Sequence, residues 1–291
     1  MDEAQKQINN DDIVHIRAAI IRDGKFTEPT PIGYKILDDA MMGGVREGDF
    51  VVITGKSGMG KTSYGQSISV NFSNTGNKCL WFSYEMIIDN LYAKFLQMGI
   101  KAENFFCYTP KQMTTGNIEW IQDKTREGLL KYNTKFIFID HIDFLSPKKI
   151  KSTDQRRMII QDICTELKSM AISLRITIFL MAHVKKVQGR SVEMQDLAES
   201  GSLYKLADFV FAVERESRII NENGVRKEVI GKISSVKILK NRLTGNLAEM
   251  EFKMNNNKIE QLSGCEVDDK IEIVDEAIKP IDAQRQLLLH K

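Results

Sequence analysis

The chain has 291 residues, of which 42% are hydrophobic and 27% charged, enough for one large domain with small appendages and ordinary for a soluble globular protein. No apolar run approaches the length of a membrane span, and the opening MDEAQKQINNDD lacks the basic-then-apolar plan of a secretory signal, so a cytoplasmic protein without a membrane partner is expected. A net charge of +2 does not by itself advertise nucleic-acid binding, and four scattered cysteines (Cys79, Cys107, Cys164, Cys265) without a CxxC pair argue against a zinc site or a disulfide framework and for reduced, buried thiols.

In chain order, Ile13, Ile16, Ile20 and Ile21 recur at helical spacing and predict a short amphipathic helix, followed by the proline-bearing linker KFTEPTP. From Phe50 onward the apolar runs FVVIT, CLWFS, FIFI, ITIFLMA and FVFAV alternate with helix-length segments. Such continuous runs predict parallel strands buried on both faces, hence an α/β fold with a mostly parallel central sheet flanked by helices. Ser152 and Gln155 fit a capping box that opens a helix whose apolar face is Ile159, Ile163, Leu167, Met170 and Leu174. Toward the end, KISSVKILKNR and LAEMEFKM predict a C-terminal β-hairpin. In its second arm Ala248, Met250, Phe252 and Met254 alternate with polar residues. After Ser263 the chain turns acidic and closes in the helix-like DAQRQLLLHK. The expected division is therefore an N-terminal helical segment at 1–29, a core at 30–262 and a tail at 263–291.

The segment GKSGMGKT at 55–62 matches G-x-x-x-x-G-K-[ST] directly after an apolar strand and before a helix-compatible stretch. Glycines let backbone N–H groups converge on phosphate oxygens, so Gly55, Ser57, Gly58, Met59, Gly60, Lys61, Thr62 and Ser63 form the candidate cradle. Within it Lys61 serves the β/γ-phosphates and Thr62 is a ligand of Mg²⁺. ATP, or another NTP or dNTP, with Mg²⁺ is the expected cofactor set. Open α/β sheets bind ligands at the carboxyl ends of their parallel strands. Three neighbouring runs end in chemistry-bearing residues: CLWFSYE in Glu85, a candidate general base; FIFID in Asp140, a candidate water-mediated Mg²⁺ ligand; ITIFLMAH in His183, a candidate γ-phosphate contact. Two basic clusters follow such strands, Lys148, Lys149, Lys151, Arg156 and Arg157, then Lys185, Lys186 and Arg190.

Taken together, these motifs resemble the hexameric replicative helicases of the DnaB family, closest to the helicase half of phage and mitochondrial primase-helicases. The resemblance rests on TPIGYKILDDAMMGGVREGDFVVITGKSGMGKT, FSYEM, FIFIDHIDFL, MAHVKK, DLAESGSLYKLADFVFAVERE and ILKNRLTG, and runs from about Thr30 to Met254. It implies a RecA-like P-loop core with Glu85 as catalytic glutamate, Asp140 as Walker B aspartate and His183 as phosphate sensor. It further implies that Lys240 and Arg242 are a trans-acting lysine and arginine finger that serve the adjacent subunit. Residues two apart on a strand share a face, so these two are expected to project together from the hairpin tip.

The same resemblance assigns the DNA-facing loops to Lys148, Lys149, Lys151, Lys185, Lys186, Arg190, Ser200 and Gly201. Only one residue separates His183 from Lys185, a short lever between sensor and grip. The implied function is an ATP-dependent ring, a hexamer, that translocates 5′ to 3′ on single-stranded DNA and unwinds the replication fork, with a separate primase, loader or polymerase as further partners. With only about 30 residues before the core, neither a primase domain nor an N-terminal collar is expected. The competing readings are a recombination or clock-type ATPase assembly and a non-motor nucleotide-dependent loader or adaptor. Strand displacement on a fork separates the first from a helicase, and failure to hydrolyse nucleotide marks the second.

Overall fold

Strand residues of alternating facing are buried on both sides, which is why the central strands read as unbroken apolar runs. The computed structural model describes residues 27–108, 118–145, 152–184, 190–193, 196, 201–222 and 225–262. The expected helix around Ile13 to Ile21, the acidic tail, and Lys148, Lys149, Lys151, Lys185, Lys186 and Ser200 lie outside these residues. In chain order the helices and strands are α1 (Lys35–Ala40), β1 (Phe50–Gly55), α2 (Lys61–Asn74), β2 (Cys79–Ser83), α3 (Ile88–Gln97), β3 (Phe105–Tyr108), α4 (Ile118–Tyr132), β4 (Phe136–Asp140), α5 (Thr153–Leu174), β5 (Thr177–His183), α6 (Gly201–Leu206), β6 (Phe209–Glu222), β7 (Val225–Asn241), β8 (Glu249–Asn255) and β9 (Lys258–Gln261). Among the described residues the strands form one sheet in the order β3-β2-β4-β5-β1-β6-β7-β8-β9. From β3 to β6 every neighbour is parallel, and from β6 to β9 every neighbour is antiparallel.

The alternation builds two cores. Val51, Ile53, Trp81, Phe138, Phe179 and Met181 pack with Ile68 and Phe72 of α2 on one face. Phe50, Val52, Phe82, Ile137, Ile139 and Leu180 pack with Ile163, Leu167 and Met170 of α5 on the other. On the first face a row of rings crosses the sheet: Trp81 stacks on Phe138 at 5.0 Å between centroids, and Phe138 on Phe179 at 4.5 Å. Each such side chain, fully buried, contributes roughly 1.5–3 kcal/mol of transfer free energy. Gly65 lets α2 lie close on this face, because a Cβ there would stand 2.1 Å from the Met181 methyl.

The parallel sheet and the capped α5 agree with the expectation; the Ser152 hydroxyl accepts from the Gln155 N–H at 3.1 Å. The C-terminal strands are more extensive than one hairpin. The apolar run FVFAV is only the start of β6, which continues to Glu222 and returns as β7 in a long antiparallel ladder. The charged residues from Glu214 end the apolar signal but not the backbone pairing. The turn after β7 holds Arg242 just beyond the strand, while Lys240 is still within it. Cys107 is only half-buried, whereas Cys79 and Cys164 are buried as expected. None of the described helices is long and apolar enough to cross a membrane.

At the starting edge of β1, Asp208 joins three elements. Its carboxylate accepts from the Phe50 N–H at 2.8 Å, from Lys168 Nζ of α5 at 2.5 Å and from the Arg242 guanidinium at 3.1 Å. Removing it leaves the buried Phe50 N–H without its acceptor and two cations without their counter-charge, with only the Gly48 and Lys205 carbonyls still accepting from Lys168 and Arg242. Asp208→Ala is therefore expected to lower unfolding free energy in urea by about 2–4 kcal/mol. A change below about 0.5 kcal/mol would show that the three donors find other partners.

Candidate active site

Register brings the ends of four adjacent strands together. Gly55 of β1 pairs with His183 of β5, and Ser83 of β2 pairs with Asp140 of β4. Because the order is β2-β4-β5-β1, the residues that follow these strands form a row along one sheet edge. Gly55, Gly58 and Gly60 have φ of 148°, 77° and 101°, a region side chains disfavour, and at Gly55 a Cβ would stand 2.4 Å from the Val213 carbonyl oxygen. Gly60 offers no side-chain cap to α2, so the first N–H groups of a 14-residue helix open onto the loop. Ser57 and Gly58 are exposed at the loop crest, Met59 is buried beneath it, and Ser63 is half-buried in the first turn.

Lys61 is folded back over this loop. Its Nζ donates to the carbonyls of Gly55 at 3.0 Å and Lys56 at 2.9 Å. Burial pushes its ammonium down to about 8, against the nearby negative charges of Asp140, Glu85 and Asp143. Asp140 shows the converse: burial, then the Glu85 charge, pushes its carboxyl up to about 6, opposed by the Thr62 hydroxyl and by the charges of His141 and Lys61. The Thr62 hydroxyl donates to Asp140 Oδ2 at 3.0 Å. A hydroxyl beside a carboxylate is a hard-oxygen donor set of the kind that holds Mg²⁺ next to phosphates, so these residues fit the ion.

Glu85 lies past the end of β2 with its side chain 43% exposed, and its Oε1 is 2.9 Å from His141 Nε2. His141 directly follows Asp140 through a cis peptide and is buried. Its ring meets that of His183 edge-on, with centroids 4.4 Å apart. Ligand atoms of Glu85, His141 and His183 all lie within 4.8 Å of one another, a nitrogen-rich set more suited to a transition metal than to Mg²⁺. Burial and the neighbouring Lys61 charge hold the His183 imidazole below its ordinary range. Sequence reasoning singled out every member of this group except His141. Its signal was faint: a histidine after the strand-end aspartate, with nothing in the sequence to pair it with Glu85.

The other predicted residues are placed as follows. Arg190 is bound to Asp196 through both guanidinium nitrogens at 2.8 and 2.6 Å, so within this chain it braces its own loop. Gly201 is the first residue of α6. Lys240 and Arg242 do point to one place. Lys240 Nζ donates to the carbonyls of Tyr204 at 2.6 Å and Lys205 at 3.2 Å, and Arg242 donates to Lys205 at 2.5 Å. That place is the starting edge of β1, since Arg242 is held by Asp208, which bonds Phe50. The phosphate loop leaves the opposite end of the same strand, roughly 17 Å away at the usual rise per residue.

Known proteins share this fold. The sequence profile of the DnaB-like helicase C terminal domain matches residues 30–106 and 100–261. A probable plasmid replicative DNA helicase of Chlamydia psittaci is 23% identical over 239 residues, 71% of this chain and 51% of that protein. Among solved structures, an ATPase domain superposes with a TM-score of 0.67 at 20% identity, covering 85% of this chain and 96% of that one. A DnaB-like replicative helicase, solved in a study of its interactions with primase, superposes with a TM-score of 0.65 at 20% identity, covering 87% of this chain and 68% of that one. The fold is thus that of RecA-like helicase ATPase domains. The chain spans about half the length of the curated relatives it matches.

The raised Asp140 carboxyl has a stability consequence whose sign can be worked out. A carboxyl that binds its proton more tightly when folded destabilises the fold once it must ionise. The penalty is absent below about pH 4 and complete above about pH 6. Asp140→Asn is neutral throughout, so without nucleotide it should melt higher than the unsubstituted protein at pH 8, with the gain fading as pH falls from about 6 to 4. Thermal unfolding across pH measures this, and a gain that stays constant with pH would contradict it.

Proposed function

We propose, from the premise that this chain belongs to the family of DnaB-like helicase C-terminal domains, that it is the ATPase motor of a replicative DNA helicase. In this reading residues 30–262 form the motor unit, and copies assemble into a hexameric ring that moves 5′ to 3′ along single-stranded DNA in the cytoplasm. The cofactors are ATP, or another NTP, and Mg²⁺. A primase is a partner on the strength of the helicase relative studied with its primase, and a loader and a polymerase complete the setting at the fork.

Lys61 and the N–H groups at the start of α2 bind the phosphates, and Thr62 with Asp140 would hold the metal, which when bound neutralises phosphate charge. Glu85 accepts a proton from the attacking water, and His183 donates to the γ-phosphate oxygens and registers their departure. Arg242 and Lys240 stabilise transition-state charge in the neighbouring subunit's site, an effect worth roughly 10³ to 10⁵ in rate for an arginine finger. The lysines at 148, 149, 151, 185 and 186, with the backbone at Ser200 and Gly201, contact the DNA backbone without reading sequence. Arg190, paired with Asp196 within this chain, joins these lysines in contacting the DNA backbone.

One observation carries the oligomeric motor: Arg242 and the phosphate loop lie at opposite edges of the sheet within one chain. A finger so placed cannot reach its own nucleotide. It serves a site only across an interface, as successive subunits of a closed ring provide. The test is mixing. Lys61→Ala should lose nucleotide binding, and Arg242→Ala should bind ATP yet lose hydrolysis. Equal mixtures of the two should regain up to about a quarter of the normal DNA-stimulated rate, the share of interfaces that join an intact loop to an intact finger. Normal turnover by Arg242→Ala alone would overturn the trans assignment.

A further inference from the structure

We propose that His141 is the positioning residue that aims Glu85 and physically ties it to His183, a role that rests on the assignments of Glu85 as base and His183 as sensor given above. Glu85 stands beyond Ser83, the last paired residue of β2, and is nearly half-exposed, so the strand ladder does not fix its carboxylate. His141 is buried, only 7% exposed, and immediately follows the metal-binding candidate Asp140. Its Nδ1 accepts from the Asp143 N–H at 3.2 Å. The same Nδ1 is 3.4 Å from Asp143 Oδ2, and on the other side of the ring Nε2 faces Glu85 Oε1 at 2.9 Å, where an Nε2–H donates to the carboxylate. With Oε1 engaged, Oε2 is the oxygen left to take a proton from water.

The other faces of the imidazole are also held. Phe144 packs on it with centroids 4.8 Å apart, and His183 meets it edge-on at 4.4 Å. Asp143, which meets Nδ1 with both its N–H and its carboxylate, is itself paired through Oδ1 with Arg156 of α5 at 2.7 Å. The imidazole is therefore a rigid spacer between an exposed base and a half-buried sensor. A shift of His183 toward or away from a γ-phosphate displaces the ring it abuts and, through Nε2, the carboxylate. This adds a second connection inside the site, separate from the covalent step from His183 to Lys185.

Two amide substitutions separate positioning from bulk structure. The carboxamide of His141→Gln reaches the place of Nε2 and donates to Glu85; that of His141→Asn, one methylene shorter, stays near Nδ1 and does not. Steady-state ATP hydrolysis with oligo(dT) should show kcat for His141→Asn reduced roughly 10- to 100-fold, the scale of a misaligned catalytic group. Its KM and its affinity for a fluorescent ATP analogue should stay within about twofold, and His141→Gln should keep at least about a third of normal kcat. Equal losses in both variants, normal kcat in both, or a loss confined to KM and affinity would each overturn the proposal. Glu85→Gln, assayed alongside, tests the underlying reading on its own: normal turnover there would remove Glu85 as the base whatever the His141 variants do.

Discussion

Gly55 is paired with His183 across β1 and β5, and Ser83 with Asp140 across β2 and β4, so four neighbouring parallel strands stop at the same edge and hand their next residues to one line. The candidate nucleotide site depends on that shared stopping point. The strands are held in register by cores on both faces and by a row of stacked rings, which fixes the line to within side-chain reach. The edge carries a cost that the fold does not offset by itself. Lys61 and Asp140 are both drawn toward neutrality by burial, and the loop amides at the start of α2 have no side-chain cap. In the proposed reading, phosphate oxygens and a divalent ion would supply the charges that these groups lack, giving affinity and the instability of the free site one origin.

The far end of β1 carries Arg242, the proposed finger. The Phe50 N–H at its first residue is bonded to Asp208, which also holds Lys168 and Arg242. One stiff strand thus has a phosphate loop at its last residue and a guanidinium at its first. In a ring of identical subunits this polarity suits each interface to join the finger edge of one copy to the loop edge of the next. The Lys240 and Arg242 side chains are gathered on the carbonyls at the end of α6, contacts they would exchange to reach a neighbour's phosphate.

Much of this was legible in the sequence because a single residue type answered to a single physical need. Gly55, Gly58 and Gly60 stand at positive φ, and the apolar runs of β1, β2, β4 and β5 end abruptly where the chain meets solvent and ligand. His141 escaped because its meaning is entirely tertiary: its partner Glu85 comes from a different strand, and only the β2–β4 pairing makes them neighbours. The length of β6 and β7 escaped because charged residues ended the apolar signal while the ladder continued. The four-residue strands β3 and β9 are too short to produce a period. The pairing of Arg190 with Asp196 escaped because charge counting does not show which pairs close, even six residues apart.

The central claim is that one sheet edge binds the nucleotide and the opposite edge of a neighbour completes the site. A cryo-EM reconstruction of the chain with Mg²⁺, a non-hydrolysable ATP analogue and oligo(dT) tests it most directly. The account predicts a closed assembly with the γ-phosphate against Lys61 and His183 of one subunit, the His141 ring still bonded to Glu85, and Arg242 of the next subunit reaching the same phosphate. Nucleotide bound away from the 55–62 loop, or interfaces in which every Arg242 remains on its own Asp208 far from any phosphate, would contradict it.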